Sequence, residues 1–282
     1  MDPQPNINVL FLGDVIGKPG RRVVKRFLRE TILKPDLIIA NVENAAHGFG
    51  TTESNLNELK DAGVMVFTGG NHTFDRKETL EFIDRLDNVL RPANYPAGTP
   101  GKGHCIVQLG NGLKVGILNL IGRVFMEPLM SPFAVADQII PELAAKTNLI
   151  FVDMHAEATA EKVAMGWYLD GRVSMVVGSH THVQTADERI LPNGTGYLTD
   201  AGCCGPADGV IGMDREGVFR RMVQQLPTRF EVADGPAMLN GALVTIDTKT
   251  GKTAQIKRVQ YKEAEERETA NDSSQELTIS SL

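Results

Sequence analysis

Residues 7–44, INVLFLGDVIGKPGRRVVKRFLRETILKPDLIIANVEN, carry the pattern on which the fold turns. An apolar run, Ile7-Asn8-Val9-Leu10-Phe11-Leu12, stops at Gly13-Asp14 and reads as a strand. Beyond Pro19-Gly20 the apolar residues change period. Val23, Val24, Phe27, Leu28 and Ile32 fall at helical spacing, which predicts an amphipathic helix with these residues inward and Arg21, Arg22, Lys25 and Arg26 mostly solvated. Leu37-Ile38-Ile39-Ala40 then reads as a second buried strand, ended by Asn41-Val42-Glu43-Asn44.

Working outward, the alternation continues. Glu53 to Ala62 predicts a helix stopped by Gly63, Val64 to Phe67 a strand ended by Gly69-Gly70, and Glu78 to Leu86 a helix before the Arg91-Pro92-Ala93-Asn94 loop. Cys105 to Leu109 and Val115 to Leu120 flank Asn111-Gly112, a hairpin dipeptide. Leu149 to Asp153, Met175 to Val177 and Tyr197 to Thr199 read as strands, and Val135 to Ala145, Thr159 to Tyr168 and Val218 to Leu226 as helices. Ala242 to Asp247 and Ala254 to Gln260 resemble a closing hairpin around Lys249-Thr250-Gly251-Lys252. Strand–helix alternation followed by hairpins predicts an α/β sandwich of two mixed β-sheets flanked by helices.

At 282 residues the length prior is about two domains, yet no boundary divides the chain. The expectation is a single domain over 1–261 and a polar, Glu- and Ser-rich C-terminal tail over 262–282. Lys and Arg number 29 against 35 Asp and Glu, a formal charge of -6, so no bulk basic field holds the protein on nucleic acid. RNA remains a partner only through a local basic groove. No apolar run approaches the ~20 residues a bilayer core requires, so no membrane partner is expected. Met1 to Asn6 lacks the features of a signal peptide, and three cysteines, two of them the adjacent Cys203 and Cys204, make no disulfide framework. These features predict a cytoplasmic protein in which Cys203 and Cys204 are small buried hydrophobes.

Chemistry enters where polar residues interrupt the strand ends. Asp14, Glu43, Asn71, His155 and His180 each lie within four residues of the end of an apolar run. In α/β sheets the carboxyl ends of neighbouring strands converge on one crevice, so these side chains can share a site. Carboxylates, amide oxygens and imidazoles form a mixed N/O ligand set that suits Fe, Mn or Zn and lacks the thiolates of a structural zinc site. Taken singly, each has a plainer reading. An Asp after a strand is commonly a cap or turn residue, a lone His155 a hydrogen-bonded core histidine, and Asn71-His72 after two glycines a turn. Ser179-His180-Thr181-His182 is the stronger segment, since histidines seldom alternate at a strand end for packing. Gly13 to Gly20 lacks Gly-Lys-Ser/Thr, which argues against a Walker-type nucleotide loop. His47 and His104 match no ligand motif.

The ordered set is Gly13-Asp14, Glu43-Asn44, Gly70-Asn71-His72, a separate His155, then His180-x-His182. It resembles the calcineurin-like metallophosphoesterases, and most closely their YmdB-like branch of 2′,3′-cyclic-nucleotide 2′-phosphodiesterases. Asp153-Met154-His155-Ala156-Glu157, Arg123-Val124-Phe125-Met126-Glu127 and Thr199-Asp200-Ala201-Gly202 also look like that branch. Ile16, Glu43 and Thr73 depart from the wider superfamily, which has His, Asp and an acidic residue there, and agree with the branch. The resemblance implies a metallophosphoesterase-type sandwich and a dinuclear site. In it Asp14, Glu43, Asn44 and His182 hold one metal, and Glu43, Asn71, His155 and His180 the other, with Glu43 bridging. It implies iron first, manganese or zinc otherwise, and hydrolysis of a small cyclic phosphodiester to a 3′-monophosphate. The nucleophile would be a hydroxide shared by the metals, with His72 the general acid. Asp153 and Glu157, which flank His155, read equally well as acceptors that orient metal-held histidines and as surface or capping residues, and Asp75 is a candidate to fix the His72 tautomer.

Two other readings share these residues: a metal-dependent nuclease or phosphatase, and a regulatory RNA- or protein-binding module that uses the site as a sensor. A homo-oligomer is compatible with all three.

Overall fold

The computed structural model describes residues 5–264. Strands β1 (Asn6–Leu12), β2 (Asp14–Val15), β3 (Leu37–Asn41) and β4 (Val66–Thr68) alternate with helices α1 (Gly17–Glu30), α2 (Glu53–Asp61) and α3 (Thr79–Phe82). Next come β5 (His104–Gln108), β6 (Lys114–Ile121), α4 (Pro132–Ala144), β7 (Ile150–His155), α5 (Thr159–Tyr168), β8 (Met175–Ser179), β9 (Arg189–Ile190) and β10 (Gly196–Leu198). Strand β11 (Cys203–Pro206), α6 (Arg215–Met222), β12 (Ala237–Asp247) and β13 (Thr253–Lys262) complete the described chain. One sheet has the order β2-β11-β12-β1-β3-β4, with β13 also on β12, and the other β5-β6-β7-β8-β10-β9. Both mix parallel and antiparallel pairs, so the two mixed sheets with helices outside are as expected.

The period-2 alternation of β1 explains the layering. Ile7, Val9 and Phe11 face the space between the sheets, where Phe11 stacks on Phe151 with ring centroids 5.6 Å apart. Leu10 and Leu12 turn the other way, onto Val23, Val24 and Phe27 of α1. In the second sheet, Leu118, Leu120, Ile150 and Val152 lie under Val135, Ile140 and Leu143 of α4. Strands covered on both faces must be apolar throughout, which is why these runs show little polar alternation. The parallel strands β1, β3, β4 and β6, β7, β8 all point the same polar loops at one end of the sandwich.

Several expectations shift. Helix α1 ends at Glu30, with Thr31 extended, so Ile32 lies outside the helical register and is 75% exposed rather than inward. Helix α6 begins three residues early because the Asp214 carboxylate accepts the Glu216 and Gly217 N–H groups, and it ends at Met222. The helix expected to Leu86 breaks after α3 into a 3₁₀ turn over Ile83–Arg85. Strands β2, β9 and β11 were not foreseen; two to four residues carry no period. Cys203 and Cys204 are buried free thiols.

The tail boundary also moves. Strand β13 includes Lys262, and the buried Glu263 carboxylate accepts from Arg22 at 2.6 Å and from the Ala237 N–H at 3.0 Å. The packed chain therefore passes residue 261, and the rest of the expected tail, from 265, lies outside the described residues.

Candidate metal centre

Each candidate side chain arrives from the end of a strand. Asp14 follows the Gly13 turn after β1, Glu43 and Asn44 follow β3, and Asn71 and His72 follow β4. His155 closes β7, and His180 and His182 follow β8. The structure brings all eight together. Asn71 Oδ1, Glu43 Oε1 and His180 Nδ1 lie 3.1, 3.2 and 3.1 Å from His155 Nε2. The Asn44 amide reaches Glu43 Oε1 and His182 Nε2, each at 3.3 Å, and His182 Nε2 is 3.9 Å from Asp14 Oδ1. Glu43 thus touches both halves of the expected ligand set, while its Oε2 accepts the His72 backbone N–H at 2.9 Å.

The three imidazoles share one orientation rule. His155 Nδ1 donates to Ser179 Oγ at 3.0 Å, whose hydroxyl donates in turn to Asp153 Oδ1 at 2.6 Å. His180 Nε2 donates to Glu157 Oε2 at 3.0 Å, and His182 Nδ1 to the Ile211 carbonyl at 2.9 Å. Each ring therefore sets its outward nitrogen against an acceptor and turns the other toward the cluster, where it can offer a lone pair to a cation. Metal-binding histidines are held this way. Asp153 serves His155 through Ser179, and Glu157 serves His180 directly, so both flanking carboxylates take up the expected contacts.

Acceptors that face acceptors need a cation between them. Asp14 Oδ1 is buried with no hydrogen-bond partner, a costly arrangement for a polar atom. Glu43, His155 and His180 offer ligand atoms within 4.8 Å of one another. The charge balance agrees. Burial raises the Asp14 carboxyl above its ordinary range, and nearby imidazoles only partly offset this. Burial would also raise Glu43 and lower His155, but their mutual charge and hydrogen bond win, holding the carboxyl down and the imidazole up. His180 is pushed down to about 3 by burial and by the His155 charge. The donor set fits divalent cations on these grounds.

Backbone strain gathers here. His180, His182 and Ile211 have φ of 98°, 66° and 46°; left-handed geometry at a β-branched residue costs about 1–3 kcal/mol and persists only where surroundings impose it. Below His180, the buried Lys162 Nζ meets Asp200 Oδ2 at 2.6 Å, and the same oxygen accepts from the Thr181 N–H at 3.2 Å and its hydroxyl at 2.7 Å. This buried ion pair clamps the loop that carries both histidines. The sequence marked Ser179 and Asp200 only as members of motifs, and Lys162 and the Ile211 carbonyl not at all. A lysine on the inward face of an amphipathic helix is the signal in the sequence that marks the clamp, and it was passed over.

Gly70 packs against the centre so closely that a Cβ there would lie 2.2 Å from His155 Nε2 and 2.3 Å from Glu43 Oε2. Gly70→Ala replaces no donor, yet it must displace two. Metal affinity is expected to fall at least about tenfold, the scale of a disturbed ligand shell, while far-ultraviolet circular dichroism stays unchanged. Wild-type metal content in this variant would show that the two groups do not serve as ligands together.

A cavity of about 350 Å³ opens onto the cluster, with Glu43, Asn44, His72, Glu157, His180 and His182 on its polar side. His72 Nδ1 is 2.8 Å from Asp75 Oδ2, and the ring packs edge-on against Phe49 with centroids 5.0 Å apart. The Asp75 contact holds the proton on Nδ1 and leaves Nε2 for the cavity. No helix among the described residues is long and apolar enough to cross a membrane.

Known proteins share this architecture. A phosphodiesterase of Bacillus subtilis, named 2′,3′-cyclic-nucleotide 2′-phosphodiesterase, is 52% identical over 255 residues, covering 90% of this chain and 96% of that protein. A hypothetical protein from Thermus thermophilus superposes with a TM-score of 0.87 at 39% identity, over 92% of this chain and 100% of the other. A structure titled a novel phosphatase, from Mycoplasma pneumoniae, gives 0.86 at 35% identity, over 93% and 95%. The sequence model described as YmdB-like protein matches residues 10–259, and with these relatives it shows that the chain belongs to the YmdB-like family, whose metallophosphoesterase-type sandwich it has.

Proposed function

We propose that this chain is a metal-dependent phosphodiesterase that opens 2′,3′-cyclic nucleotides to 3′-monophosphates. The observation that carries the reading is the set of three imidazoles tethered outward and turned inward on Glu43, Asn71 and Asp14. The name of the Bacillus subtilis relative supplies the substrate. Asp14, Glu43, Asn44 and His182 would hold one cation, and Glu43, Asn71, His155 and His180 the other, iron before manganese or zinc. Two such cations would neutralise the phosphate and lower the pKa of water from 15.7 to about 7, making a nucleophile available near neutral pH.

The chain's own residues do the rest. Water oxygen adds to phosphorus and the P–O2′ bond breaks, so the 2′ oxygen must leave with a proton. A ribose alkoxide is a poor leaving group, and a positioned acid contributes about 10²–10⁴-fold. In its imidazolium form His72 would give that proton from Nε2 and be recharged by the proton the attacking water sheds, while Asp75 holds the Nδ1–H and Phe49 packs on the ring. Glu43 Oε2 fixes the backbone that carries it.

Metal analysis of freshly purified protein, joined to a cyclic-nucleotide assay with product identification, tests the proposal. Metal-dependent release of the 3′-monophosphate is expected. The 2′-monophosphate, turnover of RNA alone, or tight binding without turnover by the metal-loaded protein would overturn it, the last two in favour of a nuclease and a sensor module.

A further inference from the structure

The cavity has a second wall whose character differs from the first. Phe49, Ile211, Met213, Val218, Met222 and Phe230 line it, and none of these side chains carries a strong hydrogen-bonding group. Met213 and Val218 are buried among Ile16 and Cys203, which anchors the wall to the sheet. Met222 and Ile211, in contrast, are 65% and 51% exposed at the mouth of a charged site. Val218 and Met222 stand four residues apart on α6 and so share a helical face. Ile211 reaches the mouth from left-handed backbone, and its carbonyl already receives the His182 Nδ1–H. Large apolar side chains left uncovered beside a polar centre call for a ligand group that covers them.

Resting on the function proposed above, we infer that this wall is a nucleobase subsite that reads the face of the base and not its edge. The cyclic phosphate occupies the polar side, and the base lies against Met222, Ile211 and Phe230. A flat ring gains from the polarisable thioether of Met222 and from stacking on Phe230, whichever base it is. With no donor or acceptor on these side chains to meet Watson–Crick edges, adenine and guanine are equivalent here. Purines gain over pyrimidines through area alone.

The test compares adenosine and guanosine 2′,3′-cyclic phosphates with methyl β-ribofuranoside 2,3-cyclic phosphate, which has no base. Removing the base is expected to lower kcat/KM about tenfold, mainly through KM, which is the scale of one stacked base. Adenosine and guanosine substrates are expected to agree within about threefold. Met222→Ala, at a position too exposed to endanger folding, is expected to erase several-fold of the advantage of the base, and Phe230→Ala more. Calorimetric binding of adenosine 3′-monophosphate against methyl riboside 3-phosphate gives the same comparison without turnover. Equal kcat/KM with and without the base, a large adenine–guanine difference, or equal losses on both substrates in both variants would overturn the subsite. Base-dependent binding by a protein that turns over no phosphodiester would instead overturn the proposed reaction and leave the subsite standing.

Discussion

Glu43→Gln is expected to cost the protein its metal centre and on the order of 10⁴-fold or more in kcat/KM, because losing both cation charges forfeits several kcal/mol of transition-state stabilisation. The substitution is nearly isosteric, so packing of this buried side chain is preserved. What changes is charge. Glu43 stands 3.2 Å from His155 Nε2 and 3.3 Å from the Asn44 amide, so it meets members of both halves of the proposed ligand set. Two adjacent dications repel, and a shared carboxylate offsets that repulsion. Two measurements check the outcome. If the proposed two-ion site is right, metal content per chain should fall from two ions toward none, and the rise in Tm that bound metal should give the wild type through linkage should vanish. A variant that kept both ions and lost only rate would assign Glu43 to catalysis and not to the bridge.

The centre was legible because its residues obey a topological rule. Asp14, Glu43, Asn71, His155 and His180 all lie at or within three residues of the C-terminal end of a strand, and parallel strands bring such ends together however far apart they lie in sequence. The rule brings these side chains into one cluster with no knowledge of distances. It did not reach the groups that aim them. Ser179 relays between His155 and Asp153, and Lys162 with Asp200 clamps Thr181. These contacts join α5, β8 and the loop before β11, and no local period encodes them. The apolar wall was hidden for a related reason. Residues 207–236 are rich in Gly, Asp and isolated apolar residues; Val210, Ile211, Met213 and Phe230 become one surface only when that segment folds back beside the strand ends. Ile32 erred in the opposite direction, because extending a clean helical period two residues past its end places an exposed side chain in the core.

His72→Ala is expected to keep both metal ions and lose about 10²–10⁴-fold in kcat on a 2′,3′-cyclic nucleotide, the usual contribution of a positioned acid. Metal retention follows from the geometry. The Glu43 contact to residue 72 is made by the backbone N–H, which alanine supplies equally well, and no imidazole atom of His72 belongs to the cluster around His155. The effect must depend on the leaving group if the ring delivers a proton. Ribose departs as an alkoxide and needs one, whereas p-nitrophenolate departs readily without one. On bis(p-nitrophenyl) phosphate the same variant should therefore lose far less. A ring that only hydrogen-bonds substrate phosphate would cost both substrates alike and would appear in KM. Asp75→Asn refines the distinction, because it removes the carboxylate that holds Nδ1 at 2.8 Å and leaves the imidazole itself in place. If Asp75 sets which nitrogen faces the cavity, this variant reproduces the leaving-group dependence of His72→Ala at smaller amplitude, with metal content untouched. Equal losses on alkyl and aryl substrates in both variants would remove His72 from proton transfer and leave it a phosphate contact.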